Sequence, residues 1–282
     1  MDSKSDPQSP PTTESEFDLA LLSDAGSGRS ANEDCCGYYV EGPGTALFAV
    51  ADGVGGFDGG AVASALAIEV TLESYRENPV EWGTAKRLYR AVQRANVEIH
   101  NKALLVPELR RMATTLTAVV VENGTLNAAH VGDCRIYVAR RHAMTQISQD
   151  HTMVAEQVKR GLMSAEHARG HPERSILLRN VGHDLIVSVA KISMPLLQGD
   201  RVIVCSDGLY DVIRDHEIEQ LSRDLDAAAA CKILVDTANH RNTMDNVTCA
   251  VFRMIAPTPH QPEPVKTGGW RQRLRSLFSS DS

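Results

Sequence analysis

Aspartate and glutamate residues in short, distinctive contexts recur along most of this 282-residue chain. Most of them follow or lie beside apolar runs that predict buried strands, at residues 46–51, 126–131 and 202–205. A carboxylate at the end of a core strand is costly to bury unless an opposite charge neutralises it. Several such carboxylates together therefore indicate a cation site, and their oxygen atoms suit hard divalent ions such as Mg2+ and Mn2+.

These acids belong to a series of motifs that keep a fixed order along the chain. In order, the motifs are Arg29 with Glu33-Asp34, Asp52-Gly53, Thr114-Thr115, Gly132-Asp133-Cys134-Arg135, Asp150-His151, Asp207-Gly208 with Asp211, and Asp245-Asn246. An Asp-Gly pair alone is an ordinary turn signal, whereas the ordered series is specific. From Phe17 to Met254 the chain resembles the metal-dependent serine/threonine protein phosphatases of the type 2C class, in the short form found in bacteria.

Periodicity and turn signals predict the elements that position these motifs. Hairpins are predicted around residues 41–44 and around Asn123-Gly124, and long helices at residues 61–75 and 84–105. Further strands are predicted at residues 17–22, 135–139, 186–192, 201–205 and 247–252, and further helices at residues 215–223 and 227–239. Runs of strands separated by paired helices favour an α+β fold. The resemblance implies a four-layer α-β-β-α sandwich of two antiparallel sheets flanked by helices, with the metal site at one edge.

The resemblance implies a role for each acidic residue, with Mg2+ or Mn2+ as the cofactor. Asp52 would bridge two ions, and the carbonyl oxygen of Gly53 would contact one of them, since a glycine permits close approach. Asp207 and Asp245 would hold the other ion, and Glu33 would act through a bound water. The remaining implied residues are Asp34 and Asn246, which would orient the ligands, and Asp133 and Asp211, which with Asp207 would bind a third, weaker ion.

Arg29 is the residue that the resemblance assigns to the substrate phosphate. A guanidinium offers a planar fork that pairs with two phosphate oxygens. The alternative is that Arg29 only pairs with Glu33, four residues further on. Alternatives also remain for two acids, because Asp133 could be a turn residue before Arg135 and Asp211 an acid at a helix N-terminus.

The chain departs from the family pattern at three positions. Val54 and Phe57 stand where eukaryotic and bacterial members, respectively, carry a histidine, so the proton donor to the leaving oxygen is not visible at either place. Cys134 replaces the usual serine, which is a nearly isosteric change. The Asp150-His151 pair predicts the start of a helix, with the aspartate as its capping residue.

The leading hypothesis is an enzyme, a metal-dependent phosphatase that hydrolyses phosphoserine and phosphothreonine in proteins by attack of a water bridging two divalent ions. Its partners would be phosphorylated proteins, and it would oppose a serine/threonine kinase in signalling, as a monomer. One alternative is a catalytically weakened module with the same fold that binds phosphoproteins. Another is a two-metal hydrolase of small phosphate esters, and comparison of phosphopeptide with small-ester turnover separates it from the leading hypothesis.

Composition supports an intracellular globular protein. The chain is 43% apolar with a net charge of −7 and a pI of about 5.8, which argues against nucleic-acid binding. The six cysteines show no zinc-binding spacing, and their usage fits a reducing, cytoplasmic compartment. No apolar segment in the first sixteen residues indicates a secretion signal, and no run reaches the length of a membrane span.

Four segments are predicted along the chain. Residues 1–16 read as a disordered lead, residues 17–254 as one phosphatase domain, residues 255–267 as a proline-rich linker and residues 268–282 as a short basic amphipathic tail. The apolar residues on one helical face of the tail are Trp270, Leu274, Leu277 and Phe278. The tail could make a weak contact with a membrane or a partner. The alternative is a frayed terminus.

Overall fold

The computed structural model describes residues 6–10, 16–54 and 59–255, and within them the chain forms eleven strands and seven helices. The strands are β1 (Phe17–Asp24), β2 (Asp34–Gly42), β3 (Thr45–Val54), β4 (Ala113–Thr114), β5 (Leu116–Glu122), β6 (Thr125–Val131), β7 (Arg135–Arg140), β8 (Ala143–Gln146), β9 (Ala190–Pro195), β10 (Arg201–Cys205) and β11 (Val247–Met254). The helices are α1 (Gly59–Glu77), α2 (Thr84–Leu105), α3 (Met153–Lys159), α4 (Ala165–Arg169), α5 (Asp207–Tyr210), α6 (Asp215–Ser222) and α7 (Ala227–His240).

The strands form two antiparallel sheets. In one sheet the order is β1-β11-β10-β7-β8, so the first and last strands of the described chain are neighbours. In the other sheet the order is β2-β3-β5-β6-β9, and the short β4 pairs with the end of β3. Each strand alternates its side chains between the two faces of its sheet, so both faces need an apolar cover.

Three apolar clusters join the layers. The central cluster lies between the two sheets and includes Phe48 and Phe252, whose rings stack with centroids 5.7 Å apart. A second cluster packs α1 and α2 on the outer face of the β2-β3-β5-β6-β9 sheet. A third packs α6 and α7 on the outer face of the other sheet. The layers are therefore helix, sheet, sheet and helix, as predicted.

Most of the predicted elements are present, and one strand is displaced. The helix predicted at residues 84–105 is α2 with the same bounds, and both predicted hairpins form, as β2-β3 and β5-β6. The strand predicted at residues 186–192 begins only at Ala190. Side chains of α2 hold the backbone just before it, because Gln93 donates to the carbonyl of Val187 and Asn96 donates to that of Leu185.

Part of the segment predicted as a disordered lead is ordered. The backbone of Gln8 exchanges two hydrogen bonds with Leu21 of β1, at 2.8 and 2.9 Å. Residues 1–5 and 11–15, and the predicted linker and tail from residue 256 onward, lie outside the described residues. Within the described part of the chain, no helix is both long enough and apolar enough to cross a membrane.

Candidate metal centre and active site

The acidic motifs meet at one edge of the sandwich, because the strands beside them begin or end there. Asp34 begins β2 and lies opposite Asp52 of β3. β10 ends two residues before Asp207, β11 begins two residues after Asp245, and β6 ends two residues before Asp133. Burial first, and then the charges of the other four aspartates, raise the pKa of Asp52, in keeping with five carboxylates in one region.

Burial makes this region unfavourable for several negative charges at once. It is the main cause that raises the pKa of Asp34 to about 6 and the pKa of Asp133 to about 7. Burial, followed by the charges of neighbouring carboxylates, also raises the pKa of Asp52 and Asp207 well above the usual value. Divalent cations placed among these groups would relieve the repulsion.

The residues present fit hard divalent cations. The Oδ1 atom of Asp207 is buried and accepts no hydrogen bond within the described residues, although such an atom normally has a partner. A Cβ atom on Gly53 would lie 2.3 Å from the Gly60 carbonyl oxygen and 2.6 Å from that of Glu33, so only glycine fits there. All the candidate ligands are oxygen atoms, which suit Mg2+ and Mn2+.

The side chains alone do not enclose an ion. Among the described residues, no three histidine, cysteine, aspartate or glutamate side chains are arranged so that they could hold one. Backbone carbonyls and water must therefore complete any coordination shell, which is usual for Mg2+. Asp245 is at the same time paired with Arg29.

Arg29 lies at the edge of this acidic cluster. Its Nη2 atom donates to Asp245 Oδ2 at 2.9 Å, and the two side chains are 49% and 39% exposed. That hydrogen bond is the main cause that raises the pKa of Arg29, and the charge of Glu33 contributes less. The principal partner of Arg29 is therefore Asp245 and not Glu33, the partner predicted as the alternative. The guanidinium of Arg29 remains accessible from solvent.

Asn246 ties together three backbone segments around the site. Its Oδ1 atom accepts from the Glu33 N–H at 2.9 Å, and its Nδ2 atom donates to the carbonyls of Ala25 and Ala31, both at 2.8 Å. The side chain of Asp34 accepts from Ser206 Oγ at 2.8 Å. Both residues therefore lie where they can orient ligands, and Ser206 is a supporting residue for which no motif in the sequence provides a signal.

Thr114 and Thr115 fix the backbone of Asp52. The Thr115 hydroxyl accepts from the Asp52 N–H at 2.9 Å, and the Thr114 hydroxyl donates to the Asp52 carbonyl at 2.8 Å. Both threonines are fully buried. The sequence analysis identifies this motif but assigns it no role. Two hydroxyl groups inside an apolar run are the signal for such a role, because buried hydroxyls need hydrogen-bond partners.

Asp133 and Asp211 line the same cavity as Asp207, with a volume of about 550 Å³. The alternative predicted for Asp133 stays open, because Asp133 lies in the short bend between β6 and β7, just before Arg135. The alternative predicted for Asp211 does not fit. Asp211 follows the C-terminal end of α5, and its carboxylate accepts from Arg174 at 2.8 and 3.0 Å.

The prediction that Asp150 caps a helix is wrong. Thr152 is the capping residue of α3, because its hydroxyl accepts from the Ala155 N–H, whereas Asp150 is held by Arg135. His151 lies in a buried network in which its Nδ1 atom accepts from the Gly132 N–H at 3.1 Å. Burial is the main cause that lowers its pKa to about 3, so the imidazole is neutral.

Of the two positions at which the sequence lacks the expected histidine, only Val54 lies within the described residues. Val54 ends β3 and is 40% exposed, so an apolar side chain faces solvent close to Asp52. Phe57 lies outside the described residues.

Comparison with known proteins gives consistent matches. The family model described as Protein phosphatase 2C matches residues 26–247. The serine/threonine protein phosphatase PstP of Mycobacterium tuberculosis is 34% identical over 250 residues, which is 88% of this chain and 47% of PstP. The serine/threonine phosphatase stp of Listeria monocytogenes is 32% identical over 232 residues, which is 80% of this chain and 91% of stp.

One similar solved structure contains bound metal ions. The catalytic domain of PstP in complex with two manganese ions is 32% identical to this chain, with a TM-score of 0.74, and covers 85% of this chain and 98% of the domain. The chain spans about half the length of the full PstP sequences that it matches.

Proposed function

Because this chain belongs to the protein phosphatase 2C family, we propose that it is a phosphatase dependent on Mg2+ or Mn2+ that hydrolyses phosphoserine and phosphothreonine in proteins. The observation that carries this proposal is the group of buried and half-buried carboxylates around Asp52, with the buried and unpartnered Oδ1 atom of Asp207 among them. The two manganese ions bound by the PstP catalytic domain support the choice of cofactor.

The chain offers a place for each ion of a two-metal site. We assign the bridging position to Asp52, with the carbonyl of Gly53 beside it, and the second ion to Asp207 and Asp245. Glu33 would act through water, and a third, weaker ion would use Asp133 and Asp211 together with Asp207. When bound, the ions supply an activated water and screen the charge of the phosphate ester.

Arg29 would bind the substrate phosphate. Its exposed guanidinium already lies against a carboxylate, so an anionic ligand of similar geometry can replace that partner. The exchange would leave Asp245 available as a ligand. Arg29 thus holds the acidic edge together when no substrate is present and orients the ester when it arrives.

We also propose that the protein acts in the cytoplasm as a monomer and opposes a serine/threonine kinase. All six cysteines are free, and four of them are buried, which supports a reducing compartment.

The alternative function is a phosphoprotein-binding module with weak catalysis, and Val54 in place of a histidine favours it. A phosphopeptide hydrolysis assay with Mn2+, and again with a chelator, separates the two. The phosphatase should release phosphate only with metal, and Asp52→Asn should remove most of the activity because the bridge loses charge to both ions.

A matched control is Asp236→Asn, which removes a half-buried carboxylate paired with Lys232 on α7. It should leave turnover unchanged. Wild-type turnover by Asp52→Asn at saturating Mn2+ would refute the metal assignment. Binding of the phosphopeptide without release of phosphate under any condition would favour the binding module.

A further inference from the structure

The cavity that reaches the acidic edge is much larger than the metal site needs. Its volume is about 550 Å³, and Asp133, Asp207 and Asp211 line only one end of it. The rest extends between one face of α3, the short α4 and the start of α6. The proposed chemistry uses none of this outer part, which we call the groove.

The groove is basic in a protein of net negative charge. Beyond the three candidate metal ligands, the acidic lining residues are Asp150, Glu166 and Asp215. The basic lining residues are Arg135, Lys159, Arg169, Arg174 and Arg214. Cations in the metal site would neutralise the acidic end, and the positive charge of the groove would then dominate.

Two of these basic residues are already held by strong partners. Arg135 makes three hydrogen bonds to Asp150, at 2.7 to 3.2 Å, and its guanidinium lies 3.6 Å from the centroid of the Tyr210 ring. Arg174 donates twice to Asp211. These pairs shape the floor of the groove and leave little capacity for a ligand.

Arg214 and Lys159 are held weakly. Arg214 reaches Glu166 only at 3.4 Å, and the two side chains are 48% and 79% exposed. Arg169 reaches Asp215 at 3.5 Å but also donates to the Tyr210 carbonyl at 3.1 Å. Lys159 makes no ion pair with any of the described residues. Exposed pairs of this length contribute little, so an incoming carboxylate or phosphate can replace Glu166 at small cost.

We propose that the groove binds an acidic side chain next to the phosphoresidue of the substrate, and that Lys159 and Arg214 are the residues that determine this preference. The inference rests on the proposed function, since it concerns the same substrate. A peptide whose phosphate lies at the metal end extends its neighbouring residues along the groove, where these two cations meet it.

The test uses three phosphothreonine peptides with the same core, in the presence of Mn2+. One has two glutamates before the phosphothreonine, one has them after it, and one has glutamines in both places. We expect one glutamate peptide to exceed the glutamine peptide in kcat/KM by about three- to tenfold, because each exposed pair changes an equilibrium by up to about fivefold. The preference should shrink at high salt.

The double variant Lys159→Gln/Arg214→Gln should lose most of this preference. A matched control is Arg160→Gln, which removes a 66% exposed cation from the end of α3 outside the groove and should keep the preference. Equal kcat/KM for all three peptides with the wild-type protein would overturn the proposal. A preference that survives in the double variant would overturn it as well.

A second measurement, equilibrium binding of the same peptides labelled with a fluorophore, tests the groove separately from the proposed phosphatase function. If no peptide is hydrolysed, the proposed function fails, but the ratio of Kd values still reports the charge preference. Unchanged Kd ratios in the double variant would overturn the groove assignment whatever the turnover.

Discussion

Asp133→Asn should stabilise the metal-free protein, although it removes a candidate metal ligand. Burial is the main cause that raises the pKa of Asp133 from 3.8 to about 7, and the charge of Asp150 adds to it. Because the folded pKa is the higher one, the ionised carboxylate opposes folding. This cost begins as the pH rises through 3.8, grows until about pH 7 and is constant above it. At pH 8 it amounts to about 4 kcal/mol, and at pH 5 to about 2 kcal/mol.

The assay is urea unfolding with a chelator at pH 8 and at pH 5. Asparagine keeps the shape of the side chain and stays neutral, so the variant should be more stable by up to about 4 kcal/mol at pH 8 and by about half of that at pH 5. With Mn2+ added, the wild type should gain more stability than the variant, because it keeps the full ligand set.

A matched control is Asp150→Asn, the same change on a carboxylate that pairs with Arg135. Removing one partner leaves a nearly buried guanidinium without its carboxylate, so this variant should lose about 1–3 kcal/mol at pH 5. The loss should be smaller at pH 8, because the variant also removes a charge that raises the pKa of Asp133. The reasoning is refuted if Asp133→Asn is no more stable than the wild type at pH 8 in chelator, or if its gain is equal at both pH values.

Three further predictions follow from the contacts described. Arg29→Ala should raise the KM for a phosphopeptide by about tenfold or more, because a charge-assisted contact is lost, and steady-state kinetics with unchanged KM would contradict this. Burial lowers the pKa of His130 from 6.5 to about 4, so below pH 6.5 the unfolded chain binds a proton that the folded chain does not. His130 alone should therefore cost the metal-free protein up to about 3 kcal/mol between pH 6.5 and 4, while protonation of Asp133 acts in the opposite direction over the same range. The difference in urea midpoint between the wild type and His130→Gln should accordingly shift in favour of the variant as the pH falls. Truncation after Met254 should leave phosphopeptide turnover intact, and the full chain should sediment with anionic vesicles more than the truncated one does; equal sedimentation would favour the frayed terminus.

Elements dictated by local pattern were predictable, and those dictated by distant partners were not. The periodicity of α2 and the Asn123-Gly124 turn are local, and both were predicted correctly. Residues 186–189 have a strand-like composition, but side chains of α2 bind the carbonyls there instead of a neighbouring strand. Nothing within the segment itself signals that competition.

In the site, too, the features set by local sequence were predictable and those set by distant residues were not. The acidic motifs were identified because each is short and keeps its order along the chain. The partners that hold them are far away in sequence: Ser206 lies 172 residues from Asp34, and Arg174 lies 37 residues from Asp211. Such pairings depend on the final packing, so sequence reasoning supplied candidate ligands but not the residues that orient them.

The pairing of β1 with β11 has a consequence for how the protein is made. Asn246, which binds the carbonyl of Ala25, lies 221 residues away from it in the chain. At ordinary rates of synthesis, β1 therefore waits about ten to forty seconds for its partner strand to be translated. β1 joins its sheet, and the carboxylates are brought together, only at that last step. A nascent or prematurely terminated chain is thus expected to carry the motifs without forming the site, and to expose an apolar strand to chaperones or to aggregation.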